Sequence, residues 1–116
     1  MYDLCRTMTR VKQMPRIGFK AAKKQVLACI EQGLVSHEVR RQIDDKNYLF
    51  SGNASLTDIK QIISRCSGTQ YISSPHHLNE DIEVHIVKTT FGYRRWYIKW
   101  YFLEPNVVFI GVHVRD

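Results

Sequence analysis

The spacing of apolar residues changes once along this chain, near Ile82, and that change limits the folds open to it. Before Ile82, apolar residues recur every three or four positions; after it, they alternate. A chain with helical spacing first and strand spacing last is expected to segregate its elements. The expected class is α+β, with N-terminal helices packed on one face of a C-terminal three-stranded antiparallel β-meander.

Two helices carry the first part. In "GFKAAKKQVLACIEQG", Phe19, Ala22, Val26, Cys29 and Ile30 share one face, and Lys20, Lys23 and Lys24 lie on the other. Gly33 stands where a helix end favours positive φ. In "SLTDIKQIISRCSG", Leu56, Ile59, Ile62, Ile63 and Cys66 form the buried stripe, and Gly68 can end the helix. Ser55 and Asp58 have the spacing of a capping box, with Asp in place of the preferred Glu or Gln. Between the helices, Val35, Val39 and Ile43 suit a short helix capped by Ser36, and residues 48–50 suit a strand or a packed loop. "TQYISSPHHLNED" reads as a connector or an irregular strand broken by Pro75.

The strands are expected in "IEVHIVKTT", "RWYIKWYFL" and "NVVFIGVHV". Their links, "FGYR" and "EPN", are short, which favours antiparallel neighbours. The whole of 1–116 reads as a single domain: 1–17 a basic arm or short helix, 18–68 helical, 82–115 the antiparallel sheet. Nothing at the N-terminus resembles a signal peptide, and no apolar stretch has the length of a membrane helix.

Alternation sorts the strand residues into two sets. Trp96, Ile98, Trp100 and Phe102, with Ile82, Val84 and Ile86 and with Val108, Ile110, Val112 and Val114, are expected to face the helices. The other face would then collect Glu83, His85, Arg95, Tyr97, Lys99, Tyr101 and His113, with Gly111 giving room for a close approach. Antiparallel sheets often leave one face in water. A plain solvated face is richer in Lys, Glu, Thr and Ser than this one.

The formal net charge is +6 and the pI is about 9.4, which points to a polyanionic partner. The three cysteines, Cys5, Cys29 and Cys66, lack the spacing of a zinc site or a disulfide framework, so reduced thiols in the cytoplasm are expected. His76 and His77 have no third ligand at a suitable spacing, and no metal or other cofactor is expected.

The polar set supplies parts for RNA cleavage by internal transfer. His85 and His113 can serve as general base and acid near neutral pH. Lys99 and Arg95 can hold a phosphate and the charge that grows on it. Tyr97 and Tyr101 offer stacking surfaces for unpaired bases.

"YISS" at Tyr71–Ser74, "WYIKW" at Trp96–Trp100 and "VVFIGVHV" at Val107–Val114 follow one another in an order that resembles the RelE-like ribonuclease toxins, above all the MqsR-type mRNA interferases. The resemblance spans roughly residues 55–116. It implies the RelE-like fold, endoribonuclease activity on mRNA without a cofactor, growth inhibition, and neutralisation by a cognate antitoxin protein. It matches Tyr97 to the family's functional tyrosine and His113 to its terminal-strand lysine, and it sets His85 near a polar residue of the first strand. The family's lysine after the aromatic residue that starts the sheet is absent. Ile72 stands there, which shifts that role to another cation such as Lys99.

The sequence therefore nominates His85, Tyr97, Lys99 and His113 as catalytic, with Arg95, Tyr101, Lys20, Lys23 and Lys24 as RNA contacts. Two other readings stand beside it. One is a non-catalytic nucleic-acid-binding or regulatory module using the same face with Lys20, Lys23, Lys24, Arg40 and Arg41. The other is a small phage- or plasmid-borne protein that binds an acidic protein. Catalysis requires the four nominated side chains to converge; binding does not.

Overall fold

A computed structural model describes residues 16–37, 49, 52 and 54–115. Residues 1–15 of the basic arm expected over 1–17, Cys5 among them, the helix expected over Val39 and Ile43, and Arg40 and Arg41 lie outside the described residues.

Helix α1 runs over Gly18–Gln32 and buries Ala22, Val26, Cys29 and Ile30, the expected face. It ends at Gly33, whose φ of 73° lies in the left-handed region. That turn lets Leu34 N–H bond back to Cys29 O at 2.9 Å, satisfying a carbonyl the helix leaves unpaired. Helix α2 runs over Leu56–Ser64 behind a reciprocal capping box. Asp58 N–H donates to Ser55 Oγ at 3.1 Å, and Ser55 N–H donates to Asp58 Oδ2 at 3.0 Å. Asp thus performs the Glu or Gln role here.

The sheet has five strands: β1 (Val35–His37), β2 (Tyr71–Pro75), β3 (Glu83–Phe91), β4 (Arg94–Leu103) and β5 (Asn106–Val114). Their order is β1-β5-β4-β3-β2. The strands β3, β4 and β5 pair antiparallel in sequence order, as the short links imply. Two edges were not expected. Val35–His37 is the strand β1, parallel to β5, where a Ser36-capped helix was expected. The Schellman-like end of α1 turns the chain straight into this pairing, and Val107 N–H donates to Leu34 O at 3.0 Å. At the other edge, β2 realises the strand alternative for "YISSP", with Pro75 as its last residue. The sheet is consequently mixed rather than a three-stranded meander.

Both helices pack on one face of the sheet. Their stripes meet Val87, Trp96, Ile98, Trp100, Val107, Phe109 and Val112 in one buried cluster. Burying several large aromatic and branched side chains at about 1.5–3 kcal/mol each is the main force holding helices to sheet.

The register corrects the expected sorting of β3 and part of β5. His85 pairs with Trp100 and Val87 with Ile98, so His85, Val87, Thr89 and Phe91 face the helices. Val84 and Ile86 face the other way, as do Val108 and Ile110, and with Tyr101 they form a second buried cluster. The sheet therefore buries apolar residues on both faces, where alternation alone predicts one. In β5 the pairing slips between Lys99 and Trp100: Lys99 sits opposite Gly111, but Trp100 sits opposite Phe109. Ile110 is the extra residue of a β-bulge. The bulge lets Val107 and Phe109 share the helix side with Val112 and Val114, which strict alternation forbids.

Among the described residues, no helix is long and apolar enough to cross a membrane.

Candidate nucleic-acid interface

On the face away from the helices, the sheet divides along its length. Toward the β4–β5 turn lies the second apolar cluster. Toward the β3–β4 turn lie Lys88, Arg95, Tyr97, Lys99, Gly111 and His113. Cross-strand pairing sets Lys88 opposite Tyr97, Tyr97 opposite His113, and Lys99 opposite Gly111.

Tyr97 is the centre of this half. Its ring lies 5.1 Å from that of His113, centroid to centroid. Two cations stand over the same phenol, Lys88 Nζ at 5.8 Å and Arg115 Cζ at 5.5 Å from its centroid. Such contacts contribute about 0.5–1 kcal/mol at an exposed site, enough to bias side-chain position without locking it. Tyr97, Lys99 and His113 are each half-buried, and the Nδ1 atom of His113 is itself buried. A Cβ placed on Gly111 would meet no atom within 4 Å, so there is open space beside Lys99. From Ile86 to Arg115 the chain has five Lys or Arg residues and a single carboxylate, Glu104. Glu104 lies at the β4–β5 turn, at the far end of the sheet.

Three of the four nominated catalytic residues therefore share a face, and the fourth does not. His85 is buried on the helix side, only 1% exposed. Its Nδ1 is 2.7 Å from Tyr71 Oη, a hydrogen bond in which either atom can donate. The rings of Tyr71, Trp100 and Phe102 enclose it at 5.9, 5.8 and 5.3 Å. Burial lowers the His85 pKa, and the nearby Glu83 carboxylate opposes this in part. Burial, with help from Glu83, raises that of Tyr71. The pair is a neutral, packed core contact that substrate on the far face cannot touch. Glu83, also expected on the polar face, lies on the helix side, where Oε1 accepts Ile17 N–H at 3.2 Å.

The proposed RNA contacts divide as well. Arg95 is exposed beside the Tyr97 group. Tyr101 is on the expected face but buried within the second cluster, with the His76 ring edge-on at 5.1 Å, so it offers no stacking surface. Lys20 and Lys24 are exposed on α1, in the helix layer on the other side of the sheet. Lys23 is half-buried and donates through Nζ to Cys66 O at 3.1 Å, a tie between helices.

Lys88 and Arg115 were not nominated. Arg115 shares parity with His113 in the sequence itself, whereas Lys88 is set opposite Tyr97 only by the register. Among the described residues, no group of three or more His, Cys, Asp or Glu is placed to hold a metal ion. Burial raises the thiol pKa values of Cys29 and Cys66, which keeps both as thiols.

The chain matches no protein-family model, and comparison with curated proteins gives no significant match.

Proposed function

We propose that this protein is an RNA-directed toxin, a RelE-like endoribonuclease that cuts mRNA without a metal through the face centred on Tyr97. The observation that carries this reading is the Tyr97–His113 ring contact at 5.1 Å, on the same face as Lys99 and flanked by Lys88 and Arg115. An imidazole, a phenol and several cations in one accessible group supply proton transfer and charge stabilisation together.

In the reaction, His113 takes the 2′-hydroxyl proton as that oxygen attacks the adjacent phosphorus. The bond from phosphorus to the 5′-oxygen breaks, and the leaving oxygen takes a proton from the Tyr97 hydroxyl. Lys99, with Lys88 and Arg115, balances the charge that grows on the phosphoryl oxygens. The products are a 2′,3′-cyclic phosphate and a 5′-hydroxyl. Action in the cytoplasm and neutralisation by an antitoxin protein belong to the same reading, as the family resemblance implies.

One observation favours the alternative of RNA binding without cleavage: His85 lies across the sheet, leaving one imidazole at the site rather than two. Incubation of purified protein with single-stranded RNA in excess EDTA separates the readings. Fragments ending in a 2′,3′-cyclic phosphate are expected. Stable binding of intact RNA would select the non-catalytic module, and absence of both would reject RNA as the partner.

A further inference from the structure

Beyond the Tyr97 group, a groove of about 350 Å³ opens at the β3–β4 end of the sheet. Lys88, Arg95 and Arg115 line it, together with Gln70, Thr89 and Thr90. Trp96 also borders it, and its indole is tied down by a bond from Nε1–H to Phe91 O at 3.2 Å. Among the described residues, no carboxylate lines this groove.

Its walls are held in place by the fold. Arg115 N–H donates to Arg95 O at 2.7 Å, which fixes the end of the described chain beside the first turn of β4. Gln70 donates from Nε2 to Thr89 Oγ1 at 2.8 Å and accepts Ser67 N–H on Oε1 at 2.9 Å. Three cations around this groove, with amide and hydroxyl groups between them, suit a compact anion with several acceptor oxygens. Arginine in particular favours phosphate oxygens through its forked donors.

The groove is continuous with the Tyr97 group, because Lys88 and Arg115 belong to both. We propose that it is a second phosphate subsite, holding the phosphodiester next to the one at His113 and Tyr97. This rests on the RNA reading above and narrows it: the ligand is a single strand whose backbone runs from Tyr97 past Lys88 into the groove. A duplex would not present an unstacked base to Tyr97 and a flanking phosphate to the groove together.

The test is fluorescence anisotropy of a labelled single-stranded octaribonucleotide over a series of KCl concentrations, with wild type and with Arg95→Gln and Arg115→Gln. Circular dichroism confirms that each variant is folded. Loss of one phosphate contact lowers the slope of log affinity against log salt by about 0.7 on single strands. That drop is expected in each variant, with weaker binding at low salt. It would support the subsite whether or not the wild type cuts RNA. Unchanged slope and affinity in both folded variants would overturn the subsite, while cutting by wild type would leave the nuclease reading standing. No binding of RNA by the wild type would overturn both. Binding of a poly-glutamate peptide at least as tight as RNA, lost in the same variants, would overturn the phosphate assignment in favour of an acidic protein.

Discussion

His85 and His113 lie on opposite faces of the same sheet: His85 faces Trp100 beneath the helices, and His113 faces Tyr97 on the side away from them. Two histidines in the strands on either side of β4 have thus acquired unrelated surroundings. One has an aromatic cage and a phenol partner, and the other a half-exposed cationic setting. Their substitution should separate catalysis from stability.

His113→Ala is expected to lower RNA cleavage by about 10²–10⁴-fold, the usual worth of one general acid or base. RNA affinity should change little, since the cations remain. Cleavage at the wild-type rate would remove His113 from the reaction.

Tyr97→Phe keeps the ring and removes only the hydroxyl. Binding should persist, because stacking and cation contacts use the ring. The cleavage rate should fall by about 10²-fold or more if the phenol protonates the leaving oxygen. Equal rates for Phe and Tyr would assign the ring a binding role alone.

His85→Ala should destabilise the fold by roughly 3 kcal/mol, through the cavity it leaves and the loss of the Tyr71 hydrogen bond. Urea titration measures this directly. If stability is unaffected while cleavage disappears, the buried position is not the reason His85 matters.

The same residue gives an acid sensitivity of definite sign. Folded His85 has a pKa below the unfolded value, so between the two the unfolded chain binds more protons. Stability should be intact above about pH 6.5 and decline as pH falls through that window, by at most about 1.4 kcal/mol per pH unit from this group. Thermal melts of wild type and His85→Leu across that range should diverge. Parallel curves would show that His85 does not contribute.

Gly111→Ala should fold normally and gain up to about 0.5–1 kcal/mol, since its Cβ meets open space and a strand glycine is entropically costly. If RNA backbone passes close to Gly111, affinity should drop despite the added stability. Unchanged affinity would place the strand away from Gly111.

Much of this architecture could be read from the chain, and the reasons are local. The α1 and α2 stripes have full helical spacing, and Gly33 and the Ser55–Asp58 pair mark an end and a start by chemistry within a few residues. Trp96, Ile98 and Trp100 were legible as core because their strand has one clearly apolar parity. In contrast, β3 reads as apolar at Val84 and Ile86, yet His85 and Val87 are the helix-facing pair. Both parities are buried there, so alternation carried no information and only the pairing with β4 decides. The strand β1 was illegible for a different reason. Three residues have no period, and Val35–His37 becomes a strand because the α1 terminus delivers it alongside β5. The shared face of Tyr97 and Lys99 was legible because β4 alternates cleanly, that of His113 with them was reached across a bulge that alternation does not show, and that of Lys88 needed the register.

The extra residue in β5 has a consequence for how tolerant this protein is to change. Val107 and Phe109 are committed to the helix side before the bulge. Were Ile110 taken into the regular ladder instead of bulging out, unbroken alternation from Phe109 would carry His113 away from Tyr97 and beneath the helices. A one-residue slip that absorbed the bulge would remove the imidazole from the Tyr97 face without altering either ring's identity. A single peptide unit decides, here, which face of the sheet the His113 ring joins.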